Sequence, residues 1–212
     1  FKLRFEIMEK SKGCTIYLLR HGHVENSDRK CFNGHFNADL SPLGLEQSQE
    51  AAKTLSDIPI RAVYSSDLKR SHKGAQEIAK LHEINPEPLK KLREISVGKW
   101  EGLTIDEVNE KYPGEIEERF KDIETSRVEG GETIEEVHNR VIPRLMDLTR
   151  KHFDETIAIV AHGGVNRIIL CHLLGIPWKN IYRMKQSFTC INLIHFYPDH
   201  PIVELINAKY DV

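Results

Sequence analysis

The chain has only four cysteines in 212 residues, Cys14, Cys31, Cys171 and Cys190, and they form neither a C-x-x-C pair nor a zinc-type cluster. That spacing points to reduced thiols, mostly core filler in a cytoplasmic protein, and excludes a disulfide framework. No H-E-x-x-H motif is present. No apolar run approaches the roughly eighteen residues of a membrane span, which leaves no membrane partner to expect. Charge of one sign is also missing: 30 Lys and Arg stand against 32 Asp and Glu, a formal net charge of -2, so a nucleic-acid partner is not indicated. Repeats, low-complexity tracts and flexible linkers are absent, and a single domain over residues 1–212 is expected. The opening FKLRFEIMEKSKG alternates charge with apolar side chains and has no signal-peptide core, so residues 1–13 are set aside as a candidate leader or appended segment.

Against that background the apolar segments are few and short. Cys14 to Leu19 (CTIYLL) and Thr156 to Ala161 (TIAIVA) are runs rich in β-formers, of the length of strands buried on both faces. Arg61 to Ser65 (RAVYS) is a third strand candidate. Ser41-Pro42 supplies an N-cap and a first-turn proline for a helix carrying Leu43, Gln47, Ala51, Leu55 and Ile58 on one face. Ser66-Asp67 offers an N-cap for a helix to about Leu81, with Leu68, Ala75, Ile78 and Ala79 inward. The apolar helix Val165 to Leu174 stops at Gly175-Ile176-Pro177, and a long helix runs from Thr133 to about Lys151. Cys190 to Phe196 and Ile202 to Ile206 predict a hairpin at a sheet edge, and exposed edge strands there would permit a homodimer. Strands alternating with helices imply an α/β fold, a mostly parallel doubly wound sheet with helices on both faces. The charge-rich stretch 103–131 interrupts the alternation and predicts a helical cap insertion. The acidic runs Glu115 to Glu124, within it, and Glu132 to Glu136, just after it, predict solvated faces.

In a parallel sheet every strand C-terminus lies at one edge, and ligands bind there. Two distant motifs therefore meet: Arg20-His21-Gly22 closes one strand and His162-Gly163-Gly164 closes another. Arg70, one turn into the helix after RAVYS, reaches the same edge. Two imidazoles and two guanidiniums make an anion pocket. Forked guanidiniums with helix N-termini and glycine-flanked amides suit phosphate. A neutral imidazole among such cations, its pKa depressed by them, is a candidate nucleophile. His21-x-His23 could in principle hold a metal, but Arg20 and Arg70 would repel a cation, so no metal and no cofactor are expected.

With Ser65-Ser66-Asp67-Leu68-Lys69-Arg70 and the run Leu92-Arg93-Glu94-Ile95-Ser96-Val97-Gly98-Lys99-Trp100-Glu101-Gly102 between them, these motifs resemble the histidine phosphatase superfamily, in its phosphoglycerate-mutase-like branch, in order from Cys14 to about Phe196. The resemblance implies that His21 becomes phosphohistidine, that Arg20 and Arg70 bind phosphoryl oxygens, and that His162 is the second imidazole. It implies that Glu94 is the acid for the leaving oxygen, with Asn26 and Gly163 helping to bind phosphate. Members commonly carry that asparagine one residue later, where this chain has Ser27, and Glu or Gln where it has His23.

The implied activity is a metal-independent phosphomonoesterase acting on a small phosphorylated metabolite such as α-ribazole phosphate, phosphoserine or a phosphosugar. A cofactor-dependent phosphoglycerate mutase and a non-catalytic phosphate-binding protein are the alternatives. The sequence Glu94 to Gly102 is shorter than the E-R-H-Y-G-type stretch of the mutases and favours the phosphatase. Lys30, Arg29 and Arg127 are expected to meet any second anionic group.

Overall fold

The computed structural model describes residues 12–209, so most of the candidate leader lies outside the described residues. β1 (Cys14–Arg20) and β4 (Thr156–Ala161) pair in parallel at the centre, Arg20 opposite Ala161. β2 (Ile60–Ser65) and the two-residue β3 (Glu87–Pro88) extend the sheet on one side. β5 (Ile191–Phe196) and β6 (Pro201–Ala208) add an antiparallel hairpin on the other, giving the order β3-β2-β4-β1-β5-β6. The alternation of side chains along the central strands sorts the core into two layers. Ile16 and Leu18 of β1 and Ile157 and Ile159 of β4 face one cluster, while Tyr17, Leu19, Ala158 and Val160 face the other.

The first layer is completed by α5 (Ile134–Lys151) and α6 (Gly163–Leu174), the second by α1 (Pro42–Thr54) and α2 (Lys69–Leu81). α5 begins with a capping box in which Thr133 and Glu136 bond each other's backbone amides, and α6 ends on Gly175 in the left-handed conformation. In the cap, α3 (Ile105–Lys111) and α4 (Glu115–Lys121) pack over a small core of Trp100, Val108 and Val128. Among the described residues no helix is long and apolar enough to cross a membrane.

Three expectations change. Of the stripe expected on α1, Ala51 and Leu55 are buried and Ile58 packs on them, but Leu43 is half exposed, and the helix's first turns present Gly44 and Ser48 inward instead. Small residues win because the helix lies hard against the backbone: a Cβ on Gly44 would sit 1.9 Å from the His23 carbonyl oxygen. α2 starts at Lys69 with Leu68, not Ser66 or Asp67, at its N-cap and so without a side-chain cap, while the Ser66 hydroxyl accepts from the Leu68 amide and meets His162. Glu132 is not a solvated residue either: it accepts from Arg140 and from the Ser96 amide. Glu101 holds the backbone amides of His35, Phe36 and Val97, so the loop before α1 is fixed from the cap side.

The contact of α1 with the chain just beyond β1 yields a prediction. Gly44→Ala should lower stability by about 1–3 kcal/mol and, because His23 must move, reduce kcat/KM as well, read by denaturant titration alongside an aryl phosphate assay.

Candidate active site

The C-terminal edge of the sheet carries the predicted residues. His21 follows β1 and His162 follows the neighbouring β4, and their ring centroids are 5.1 Å apart. The Gly22 carbonyl, which can only accept, takes the Nδ1–H of His21 at 2.7 Å. The lone pair of the neutral ring is therefore on Nε2, which bonds none of the described residues. His162, fully buried behind His21, meets the Ser66 hydroxyl through Nε2 at 2.7 Å and leaves Nδ1 without a partner. The Ser66 oxygen already accepts from the Leu68 amide, so its own proton is free for His162 Nε2.

Arg70 is 1% exposed and reaches under the loop before α1, donating to the carbonyls of Asn33, Gly34 and Phe36. Arg20 donates to the Gln186 carbonyl and stacks on Phe188, its Cζ 4.2 Å from the ring centre. Burial lowers both guanidinium pKa values, Arg70 to about 10, while the Glu94 charge acts against the shift, so both remain cationic near neutral pH. Burial and then these two cations hold His21 and His162 well below the ordinary imidazole value. Each arginine keeps a buried Nε without a partner, as His162 keeps its Nδ1. Buried polar atoms are almost always paired, and these three belong to the side chains that act on His21.

Glu94 sits on the N-terminus of α6, accepting from the amides of Gly164 and Val165 as well as Ile95. Gly164 makes that approach feasible, since a Cβ there would lie 2.5 Å from Glu94 Oε1. Those two amides are consequently spent on Glu94 and are not the phosphate donors expected from the sequence. Gly163 opens the same helix, and a Cβ on it would lie 3.1 Å from Arg167 Nη1 and 3.4 Å from Arg20 Nε.

Arg20, His21, Arg70, Glu94 and Gly163 line one cavity of about 420 Å³. Asn26 does not. Its amide pairs reciprocally with that of Asn33, at 2.7 and 2.8 Å, and it is Asn33 that faces the cavity. His23 bonds Ser41 and packs on Phe188 outside the lining. Arg29, Lys30 and Arg127 are also elsewhere, Arg127 being paired with Glu136. The cavity arginines beyond Arg20 and Arg70 are Arg119 and Arg167, neither singled out from sequence. Arg167 was findable, because it lies four residues after Gly163 and so on the same helix face; Arg119 and Phe188 carry no local signal. Among the described residues no group of three or more His, Cys, Asp or Glu could hold a metal ion.

The two depressed imidazoles make a prediction for stability. Unfolded, they bind protons below about pH 6.5, and folded they do not, so the unfolded state gains protons first. Stability without ligand should fall as pH drops below that value, toward the lower folded pKa values, and a His21→Asn, His162→Asn double variant should flatten the slope of melting temperature against pH.

Comparison with known proteins identifies the family and the fold. Phosphoserine phosphatase 1 of Hydrogenobacter thermophilus is 31% identical over 192 residues, covering 91% of each chain. The metal-independent phosphoserine phosphatase of Arabidopsis thaliana is 33% identical over 174 residues, 80% of this chain and 72% of its own. The solved structure of Bacillus stearothermophilus YhfR superposes with a TM-score of 0.88 over 93% of this chain and 98% of its own, at 22% identity, which speaks for the fold. Residues 16–209 match the family model of the histidine phosphatase superfamily, branch 1, and the chain belongs to that superfamily.

Proposed function

We propose that the protein is a phosphatase of small phosphorylated metabolites that works through a phosphohistidine on His21. The observation that carries this reading is a neutral imidazole with Nδ1 committed to a carbonyl, next to a second imidazole and two arginines that each keep a buried nitrogen without a partner. Such an arrangement leaves one basic nitrogen for attack and places unspent polar nitrogens around the anion being attacked.

In the first step the Nε2 lone pair of His21 attacks phosphorus, and the bond from phosphorus to the ester oxygen breaks. The Nε N–H groups of Arg20 and Arg70 stabilise the phosphoryl oxygens. His162, with Nε2 accepting from Ser66, contributes an Nδ1–H, so Ser66 sets the tautomer. Glu94 gives its proton to the departing alkoxide. In the second step the Glu94 carboxylate takes a proton from water, whose oxygen attacks phosphorus. The P–N bond breaks and its electron pair returns to Nε2, releasing inorganic phosphate. Gly163 keeps the space beside Arg20 open, and Asn26 acts through Asn33. The phosphoserine phosphatases of similar sequence, one named metal-independent, support hydrolysis without a metal.

His21→Ala should abolish both turnover and the acid-labile phosphoprotein formed from a labelled phosphomonoester; labelling that survives would remove His21 as nucleophile. Glu94→Gln should cut kcat by about a hundredfold or more on alkyl phosphates and much less on p-nitrophenyl phosphate, whose leaving group needs no proton. Activity should persist in chelator. Rapid isomerisation of 3-phosphoglycerate with its bisphosphate would instead identify a mutase.

A further inference from the structure

The cavity is much more than a phosphate site. Above the cationic floor its wall is made by Phe32, Val97, Trp100, Ile123 and Val128, and its mouth by Phe120 and Tyr182. The wall is stiff, since Trp100 and Val128 belong to the small core of the cap and Phe32 and Val97 pack on it. The mouth is different in kind. Phe120 on α4 and Tyr182 in the short helical turn Trp178–Arg183 are 51% and 55% exposed, yet their rings meet at 5.5 Å. Two half-exposed aromatic rings in contact at the entrance to a lined cavity present an apolar surface that a ligand entering it must pass.

Polar groups on this side are partly spent: among the described residues Arg119 Nε and Nη2, Arg167 Nη2 and the Tyr182 hydroxyl have no bonded partner, while the other guanidinium nitrogens are held by the protein. Arg167 uses Nε and Nη1 on the carbonyls of Met184 and Gly163, and its Cζ stands 5.6 Å from the Tyr182 ring centre. Arg119 uses Nη1 on the Ile123 carbonyl and the Ser126 hydroxyl. These contacts brace the mouth. Glu94 is the one carboxylate among the described residues that line the cavity, and three backbone amides occupy it. An ammonium beside the phosphoryl group, as in phosphoserine, would be desolvated there without a free counter-charge.

We propose that the wall and mouth form a subsite for an apolar, preferably aromatic, leaving alcohol, with Phe120 and Tyr182 as the residues that select it. The proposal rests on the phosphatase reading for the position of the phosphoryl group.

Alkyl phosphates from methyl to hexyl test it, because their leaving groups differ little in basicity while their apolar area grows. kcat/KM should rise by up to about fourfold per methylene, and naphthyl phosphate should be preferred to phosphoserine. The same series as phosphonates, which cannot be hydrolysed, should bind more tightly with chain length by calorimetry. Phe120→Ala and Tyr182→Ala, both at exposed positions that the fold does not need, should flatten each series. Turnover with a flat series, or phosphoserine preferred over naphthyl phosphate, overturns the subsite and leaves the phosphatase reading standing. Phosphonate binding that steepens with chain length and vanishes in the two variants, with no ester turned over, upholds the subsite and overturns that reading. Phosphonates that bind independently of chain length overturn the subsite whatever the turnover.

Discussion

Burial of the Arg70 guanidinium is the constraint around which the site is organised. An unpaired buried cation costs several kcal/mol, and the fold offsets that cost with carbonyls from Asn33, Gly34 and Phe36, each charge-assisted bond worth about 1.5–3 kcal/mol. Those bonds fix the loop that carries Asn33 into the cavity. Glu101 holds the same loop from its other side through the amides of His35 and Phe36. With its Nη atoms so used, Arg70 keeps only its buried Nε unpaired and still lends its charge to both imidazoles.

The second consequence is electrostatic. Two guanidiniums and two imidazoles at one sheet edge would repel one another if all were charged. The imidazoles yield, because an arginine holds its proton far more strongly than a histidine. Glu94 enters as the compensating charge, but it is held by the α6 N-terminus and not by a guanidinium. That tether keeps the carboxylate beside the arginines without closing their Nε atoms, and the pocket stays both cationic in sum and basic at His21.

Much of this was legible from residues alone. The runs CTIYLL and TIAIVA had to be central strands, and both end in a histidine followed by glycine. Parallel pairing then required His21 and His162 to be neighbours. The helix faces were less legible. Leu43 looked like a core residue, and only the close approach of Gly44 to the His23 carbonyl shows why α1 turns its small residues inward. Ser66 fitted a helix cap by type and spacing, yet the N-cap falls two residues later, at Leu68, and the Ser66 hydroxyl joins the Leu68 amide to a buried imidazole. Asn26 is a comparable case: an amide of the right type at nearly the right place, consumed by Asn33.

By itself the sequence determined the strand ends and brought His21, His162, Arg20 and Arg70 to one sheet edge, because these depend on local pattern and on a topology that parallel pairing enforces, while Glu94 was reached only through the motif it shares with the family. Only the tertiary structure decided which nitrogen of His21 is basic, which donors remain unspent, and that the cavity continues into an apolar wall closed by Phe120 and Tyr182. Those properties depend on how loops from the cap and from the far side of the sheet converge, and chain separation of that kind leaves no periodic signal to read.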